Sequence, residues 1–164
     1  MRPLPATIAQ ATDQSDTSSS MRRGDTTNVT AAKLRGLGLR PSRARLAIAH
    51  MLFTQGNRHV SAEMLFEEAN RANVSVSLAT VYNALHNFTE VGLLRQVAVD
   101  SSKSYFDTNN SEHHHYYLED RHELMDIPPT DVVVGRAPAP PEGFEITRID
   151  VVVRLRRKIK RRGE

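Results

Sequence analysis

Three consecutive histidines stand between carboxylates and aromatic residues in the stretch SEHHHYYLED, residues 111–120. Alternate side chains of a β-strand share one face, about 7 Å apart at Cα. A strand here would therefore place His113 and His115 together and His114 on the opposite face. Two imidazoles on one face can bind a single metal ion, and imidazole also binds the iron of heme. The alternative is a hydrophilic strand edge that happens to be rich in histidine.

The chain has no cysteine among its 164 residues. This excludes disulfide bonds, zinc ribbons, iron–sulfur clusters and thiolate catalysis, so any bound metal must take nitrogen and oxygen ligands. Carboxylates are available because Asp107, Glu112 and Asp126 lie close to the histidines in sequence. No thiolate could compete with imidazole for heme iron. The sequence thus predicts metal or heme ligation by histidine and carboxylate.

Charge is distributed unevenly along the chain. Residues 30–106 contain nine basic and five acidic residues, whereas residues 107–153 contain three basic and ten acidic ones. The last eleven residues, 154–164, contain seven basic residues and one acidic residue. A basic first half predicts an anionic partner such as nucleic acid, and the acidic, histidine-bearing part predicts a cation.

Membrane insertion and secretion are not indicated. No run approaches the ~18–20 apolar residues of a membrane-spanning helix, and the first twenty residues lack the apolar core of a secretory signal. We therefore predict a cytoplasmic protein with no membrane partner.

Helix-capping residues divide the first half of the chain. Residues 1–28 are rich in Ser, Thr, Asp and Pro and lack apolar periodicity, which predicts a disordered arm. Four residues that could cap helices then follow: Thr30, Ser42, Ser61 and Ser77. Gly92 is placed to end the fourth helix. That helix has an apolar stripe at helical spacing, made of Leu78, Val81, Tyr82, Leu85 and Phe88.

Two strands are predicted after the fourth helix, at residues 93–99 and 104–107, with a hairpin turn between them. Helices followed by such a hairpin are the order of a winged helix, whose last helix enters the major groove of DNA. A plain helical bundle with a hairpin is the alternative. We favour DNA binding because the exposed face of the fourth helix carries small, hydrogen-bonding side chains instead of Lys and Glu. The winged-helix DNA-binding domain is predicted over residues 29–107.

The predicted DNA contacts form two groups. Tyr82 and Asn83 lie near the N-terminal end of the fourth helix, where recognition residues reach base edges. Ser77 could hydrogen-bond a phosphate, and Thr80 shares the exposed face of the helix. Three arginines are suited to phosphates: Arg40, Arg43 and Arg45.

A second, small α/β domain is predicted over residues 108–155, so the fold class is α+β. Its strands are predicted at residues 113–118, 123–127 and 144–155, and prolines make most of residues 128–143 a loop. Within that loop a short structured piece is predicted at residues 131–134. The basic tail, residues 156–164, is solvated or makes an additional electrostatic contact to nucleic acid.

Several motifs together resemble one known family. They are RPSRAR at residues 40–45, HVSAE at 59–63, SLATVY at 77–82, VGLLR at 91–95 and HHH at 113–115. Over residues 39–127 the chain resembles the ferric uptake regulator family, and within it the iron response regulator subgroup of alphaproteobacteria. The resemblance implies a homodimeric regulator that binds a double-stranded DNA operator, with an N-terminal winged helix, a C-terminal dimerisation domain and a metal site in the hinge between them.

The resemblance also implies ligands and departures. Five residues match the positions from which family members bind a metal such as Mn(II), Fe(II) or Zn(II): His59, Asp107, His113, His115 and Asp126. Heme binding in the subgroup is implied for His113, His114 and His115. Leu118 and Arg121 replace the Cys-x-x-Cys that holds structural zinc in relatives. Asn83 replaces the usual arginine, which implies a different operator.

Three functions are compatible with these features. The leading hypothesis is a DNA-binding transcriptional regulator that senses iron status through heme at the histidine cluster. The second is a regulator of the same family that senses Mn(II) or Fe(II) directly. The third, remote one is a non-heme metal enzyme with His113, His115 and an acid as its ligands, for which the sequence offers little substrate pocket.

Overall fold

The computed structural model describes residues 17–99 and 103–158 and consists of four helices and six strands. The helices are α1 (Thr17–Gly36), α2 (Arg43–Phe53), α3 (Ala62–Arg71) and α4 (Leu78–Glu90). The strands are β1 (His59–Val60), β2 (Arg95–Ala98), β3 (Ser104–Asp107), β4 (His114–Leu118), β5 (Glu123–Ile127) and β6 (Val152–Leu155). The mixture of helix and sheet agrees with the predicted α+β class. Across the described ranges, no helix combines the length and apolar character needed to cross a membrane.

Three of the predicted helix caps are confirmed. Ser42, Ser61 and Ser77 precede α2, α3 and α4, and the hydroxyl of each accepts a hydrogen bond from the backbone N–H three residues later. Such a cap contributes ~1 kcal/mol to stability. Gly92 follows α4 with φ of 72°, in the left-handed region that glycine enters without steric cost. These signals therefore predicted the starts of three helices and the end of α4.

The prediction for α1 was wrong. Thr30 lies inside the helix and does not cap it, because α1 begins at Thr17, within the segment predicted to be a disordered arm. Ala31 and Leu34 are buried near its C-terminal end. Once this packed turn has formed, helix can extend outward at one hydrogen bond per residue without a second nucleation step. Residues 1–16 of the predicted arm lie outside the described residues.

The helices and the first sheet share one core. The sheet has the strand order β1-β3-β2, with antiparallel pairing throughout. Phe106 of β3 lies between Val60 and Gln96 on the neighbouring strands and is completely buried. The core that it joins also contains Ile48 of α2, Leu65 of α3 and Leu85 of α4. The predicted strands around residues 93–99 and 104–107 are present, whereas β1 was not predicted because it has only two residues. Most of the predicted turn, residues 100–102, is outside the described part.

The second sheet has the strand order β5-β4-β6, in which β4 pairs antiparallel with β5 and parallel with β6. The prediction of a strand over residues 144–155 was wrong for residues 144–151, since only Val152–Leu155 is strand. Residues 144–150 are exposed, so alternating side chains there meet no sheet that would hold them extended. The structured piece predicted at residues 131–134 is instead a single 3-10 turn at Pro129–Asp131.

The two sheets pack against each other through a second apolar cluster. Val97, Val99 and Tyr105 from the first sheet contact Tyr117 and Leu124 from the second. The Tyr105 hydroxyl also donates a hydrogen bond to the carbonyl oxygen of His122, at 2.9 Å. The hairpin of the first sheet therefore contributes to both cores.

Candidate functional site

Five side chains from the two sheets converge where the sheets meet: His59, Asp107, His113, His115 and Asp126. We call them the ligand pentad. Strand register explains their convergence, because His59 of β1 is paired with Asp107 of β3, and His115 of β4 is paired with Asp126 of β5. His113 precedes β4 and points the same way as His115, as the alternation of a strand requires. These are the five residues that the family resemblance implied.

The spacing of the pentad fits one metal ion. One potential ligand atom from each residue lies within 4.8 Å of all the others. The carboxylate oxygen Oδ2 of Asp107 is 2.9 Å from Nε2 of His113 and 3.4 Å from Nε2 of His115. Oδ1 of Asp126 is 2.9 Å from Nε2 of His59. Ligands bound at ~2.1 Å to a common ion are ~3.0 to 4.2 Å apart, so the observed separations, which start at 2.9 Å and do not exceed 4.8 Å, are close to those that one ion requires.

The hydrogen bonds around the pentad leave imidazole lone pairs free for a metal. Nδ1 of His113 lies 2.9 Å from the carbonyl oxygen of Ser111, which can only accept, so Nδ1 carries a proton and the neutral ring has its lone pair on Nε2. Nε2 of His113 is 3.1 Å from Nε2 of His115, so at most one proton separates two ring nitrogens. Nε2 of His59 is buried and, although it is 2.9 Å from Oδ1 of Asp126, makes no hydrogen bond of suitable geometry with any described residue. These ring nitrogens are therefore better placed to bind a shared metal ion than to hydrogen-bond one another.

The charge states of the pentad also suit a divalent cation. Burial holds the pKa of His59 below its ordinary value, against the raising effect of Asp107 and Asp126. Burial by itself would raise the pKa of Asp107, but hydrogen bonds from His115 and the Asn109 backbone N–H, with the nearby imidazoles, lower it overall. Asp107 is therefore ionised and His59 neutral at pH 7. Imidazoles bind a metal in their neutral form and carboxylates in their ionised form, so the five ligands would together carry a charge of −2, which a divalent ion neutralises.

His114 lies apart from the pentad, on the other face of β4. Its Nδ1 accepts a hydrogen bond from the backbone N–H of Val151, at 3.4 Å. Its side chain lines a cavity of about 340 Å³, together with His113, Arg148, Ile149 and other residues. The structure thus divides the three histidines predicted to bind heme, because His113 and His115 belong to the pentad, whereas His114 lines the cavity without belonging to the pentad.

The side chains predicted to contact DNA on α4 are partly engaged within the chain. The hydroxyl of Ser77 caps α4 and lies 2.8 Å from the Thr80 hydroxyl. The Tyr82 hydroxyl donates a short hydrogen bond to the Glu63 carboxylate on α3, which lowers the pKa of Glu63. Asn83 is exposed. Sequence reasoning did not identify Glu63 as the partner that orients Tyr82.

The three predicted phosphate-binding arginines lie at or near the start of α2. Arg45 is half-buried and donates a 2.7 Å hydrogen bond to the carbonyl oxygen of Arg40, which restricts its reach. Arg43 is exposed and lines a groove between α2 and residues 73–76. Of the three, Arg40 and Arg43 are the ones that solvent reaches fully.

Relatives with known names share parts of this sequence. A ferric uptake regulation protein of Bordetella parapertussis is 33% identical over 79 residues, which cover 48% of this chain and 57% of that protein. The corresponding protein of Escherichia coli K12 is 34% identical over 74 residues, 45% of this chain and 50% of that protein. The chain therefore spans about half the length of the curated relatives that it matches.

Solved structures extend the likeness to about three quarters of the chain. The ferric uptake regulator of Pseudomonas aeruginosa, solved with manganese, superposes with a TM-score of 0.59 at 28% identity, covering 78% of this chain and 97% of that one. The ferric uptake regulator of Vibrio cholerae has the same fold, with a TM-score of 0.62 at 20% identity over 77% of this chain and 98% of that one. The sequence pattern that defines the ferric uptake regulator family matches residues 36–153. The chain therefore belongs to the ferric uptake regulator family.

Proposed function

We propose that this protein is a DNA-binding transcriptional regulator whose DNA affinity depends on a divalent metal ion bound by the ligand pentad. The observation that carries the proposal is the convergence of five ligand atoms within 4.8 Å, from strands of both sheets. The Pseudomonas aeruginosa relative, whose structure was solved with manganese, supports it. The protein would thus report metal availability by controlling transcription.

The donor set suits particular metals. Three imidazole nitrogens and two carboxylate oxygens suit Mn(II) or Fe(II), which accept five or six ligands, better than Zn(II), which prefers four. A bound metal would supply a positive charge that joins His59 and Asp107 of the first sheet to His113, His115 and Asp126 of the second. With five protein ligands at most one coordination position would remain open, so a regulatory role is favoured over a non-heme enzyme.

A short path connects the pentad to the helix proposed to read DNA. His59 lies two residues before Ser61, which caps α3, and Glu63 in the first turn of α3 holds the Tyr82 hydroxyl of α4. A metal that shifts His59 would therefore move α3 and α4 together. If metal-bound and metal-free proteins differ in this way, a coupling free energy of ~1–3 kcal/mol changes DNA affinity ~5- to 150-fold.

We propose that residues 29–107 act as a winged helix in which α4 enters the major groove. Ser77, Thr80, Tyr82 and Asn83 are on or next to the first turns of α4, where recognition residues reach base edges. The exposed guanidinium groups of Arg40 and Arg43 would contact phosphates, and Arg45 would support the Arg40 backbone.

The DNA interface can be tested by comparing two substitutions. Asn83→Ala should weaken binding to a selected operator by ~1–3 kcal/mol more than it weakens binding to random DNA, because a base contact carries sequence information. Arg43→Gln should weaken binding to both DNAs and reduce the salt slope by about 1, because a phosphate contact does not. Fluorescence anisotropy at several salt concentrations measures both effects. Equal losses on the two DNAs for Asn83→Ala would remove Asn83 from base readout.

Subunit assembly, subgroup and location belong to the same proposal. We propose a homodimer that pairs through the second domain, residues 108–155, where Val133 and Phe144 are 86% and 73% exposed. Leu118 and Arg121 cannot hold zinc, so the dimer would be held by packing, and it should persist in excess chelator.

The replacements at Leu118 and Arg121 also support membership of the iron response regulator subgroup. The protein would act in the cytoplasm, where its DNA is.

Heme is a second candidate ligand, and the cavity beside His114 is the observation that favours it. Unlike His113 and His115, His114 is not a member of the pentad. The cavity beside it is also lined by the aliphatic side chains of Val132 and Ile149 and by the cationic side chain of Arg148. Such a lining suits the apolar face and the carboxylates of a porphyrin. Heme at this cavity would leave the pentad free for a metal.

Titration with heme separates the two candidates. We expect His114→Ala to remove the Soret shift of bound heme while Mn(II) binding stays intact, because His114 touches only the cavity. The exposed His50 of α2 provides the control, and His50→Ala should change neither ligand. Loss of heme binding in His113→Ala, with binding retained in His114→Ala, would instead place heme at the pentad.

The proposed function is tested by operator binding of the wild-type protein with and without Mn(II). A DNA sequence is first selected from a random pool in the presence of Mn(II). Its affinity for the protein should then change when a chelator removes the metal and recover when Mn(II) is restored. An affinity that is the same in chelator and in Mn(II) would contradict metal regulation, and failure to select any sequence would contradict DNA recognition.

A further inference from the structure

The buried guanidinium of Arg95 lies between His113 of the pentad and Asp150, which precedes β6. Arg95, the first residue of β2, is only 7% exposed. Its Nη2 donates a hydrogen bond to the backbone carbonyl oxygen of His113, at 3.2 Å, and a short one to the Asp150 carboxylate. Its Nε and Nη1 are buried without a hydrogen-bond partner among the residues that the structure describes.

Arg95 contacts the pentad from two directions. Its backbone is paired with that of Asp107 in the β2–β3 register. Its side chain holds the carbonyl oxygen of His113, another member of the pentad. Because His113 precedes β4 and its ring is held on one side by Ser111, the hydrogen bond from Arg95 fixes the backbone from which that imidazole projects.

The same guanidinium joins the pentad to the segment that leads into β6. Asp150 lies two residues before β6 and accepts a second hydrogen bond from Nε of Arg148, at 2.8 Å. Burying an arginine costs several kcal/mol unless its charge is compensated. Asp150 provides the compensating charge, yet its side chain is 42% exposed, and two nitrogens of Arg95, Nε and Nη1, have no hydrogen-bond partner in the described part of the chain. Stabilisation of the fold alone is a weak reason for a cation at this position.

We propose that Arg95 is a positioning residue for the metal centre, holding His113 in its ligating orientation and joining it to β2 and to the segment before β6. This inference rests on the proposed metal function of the pentad. Arg95 follows Gly92 by three residues, and Gly92 ends α4. The residue therefore also lies on the direct chain connection between the metal centre and the helix proposed to read DNA.

Arg95→Met keeps an unbranched apolar stem and removes the guanidinium donors, so it isolates this role. We expect the Mn(II) affinity of the folded protein, measured by competition with a fluorescent chelator, to fall ~10- to 100-fold, as is usual when a ligand loses its supporting hydrogen bond. The visible spectrum of bound Co(II) should shift, because it reports ligand geometry. Arg95→Lys, with one compact donor group, should recover part of the affinity. Arg71→Met is the control, since Arg71 is an exposed arginine paired with Glu67 on α3.

Asp150→Asn provides a second variant that is safe for folding because the carboxylate is partly exposed. It removes the charge that orients Arg95 but leaves the hydrogen bond to His113, so we expect a smaller loss of Mn(II) affinity than in Arg95→Met. The double variant should lose no more than Arg95→Met alone, because both changes act through one guanidinium. If Arg95→Met does not fold, the Mn(II) affinity of Asp150→Asn alone, compared with wild type, carries the test.

The outcomes distinguish this inference from the proposed function. Wild-type Mn(II) affinity and Co(II) spectrum in both Arg95→Met and Asp150→Asn would overturn the role of Arg95 and leave the metal function standing. A lower denaturation midpoint with unchanged Mn(II) affinity of the folded protein would show a purely structural arginine and overturn it as well. A wild-type protein that binds no Mn(II) would overturn both proposals.

Discussion

Asp107→Asn should abolish high-affinity Mn(II) binding and, with it, the metal dependence of DNA binding. Asp107 is completely buried, and its Oδ2 lies within 3.7 Å of Nε2 of His59, His113 and His115. Asparagine keeps the shape of the side chain and can still accept from the Asn109 backbone N–H, but it removes the central negative charge. We expect a loss of more than ~100-fold, since losing a supporting partner alone costs ~10- to 100-fold.

The measurement is a Mn(II) titration followed by DNA binding in chelator and in Mn(II). In Asp107→Asn the two DNA affinities should be the same, whereas in wild type they differ. Asp131→Asn is the matched control, because Asp131 is exposed on the 3-10 turn and outside the pentad. If Asp107→Asn keeps a wild-type Mn(II) response, the ion is bound elsewhere and the pentad is not the sensor.

Phe106→Ala should cost ~3–5 kcal/mol of unfolding free energy, the usual loss when a fully buried phenylalanine is truncated. The ring is 0% exposed, belongs to the core shared by the helices and the first sheet, and contacts the His86 ring at a centroid distance of 5.6 Å. The effect includes the transfer of the ring to water and the cavity left between β3 and the helices.

Urea denaturation of the metal-free protein measures this loss as a lower midpoint with an unchanged slope. Val29→Ala is the control, because Val29 of α1 is 70% exposed and its truncation should change the midpoint little. Phe106→Leu should fall between the two. A loss below ~1 kcal/mol for Phe106→Ala would contradict this prediction, because it would mean that the core closes around the vacated space. Measured core truncations show so small a loss only where the surrounding side chains can rearrange.

The parts of this fold that follow local rules could be predicted from the sequence. Ser42, Ser61 and Ser77 were correct as caps because their hydroxyl groups act on a backbone N–H three residues away. The common orientation of His113 and His115 followed from strand alternation. Asp126 could be placed beside them only through the family resemblance, because the pairing of β4 with β5 is a contact between separate segments.

The parts that depend on tertiary contacts could not be predicted. The length of α1 depends on how its C-terminal end packs, and its sequence has no apolar stripe that would show this. Residues 144–150 alternate like a strand but are exposed and pair with none of the described strands. Arg95 was overlooked as a buried residue, although Val97 and Val99, on the same side of β2, are apolar and buried. The alternation of inward and outward side chains along β2 predicts that Arg95 points inward. The buried cation is stable there because of the Asp150 carboxylate, which lies fifty-five residues away in the sequence and is not part of the local pattern.

The apolar contacts between the two sheets limit how the protein can respond to a ligand. Val97, Val99 and Tyr105 are packed directly against Tyr117 and Leu124, so the sheets cannot swing apart without exposing both surfaces to water. Packed interfaces move by sliding over small distances and settle in a few discrete arrangements. Metal binding at the pentad would therefore displace α4 by about an ångström, because the packed sheets move as one stiff unit. Such a displacement would change how well the side chains of α4 match the DNA, and this mismatch would discriminate between DNA sites.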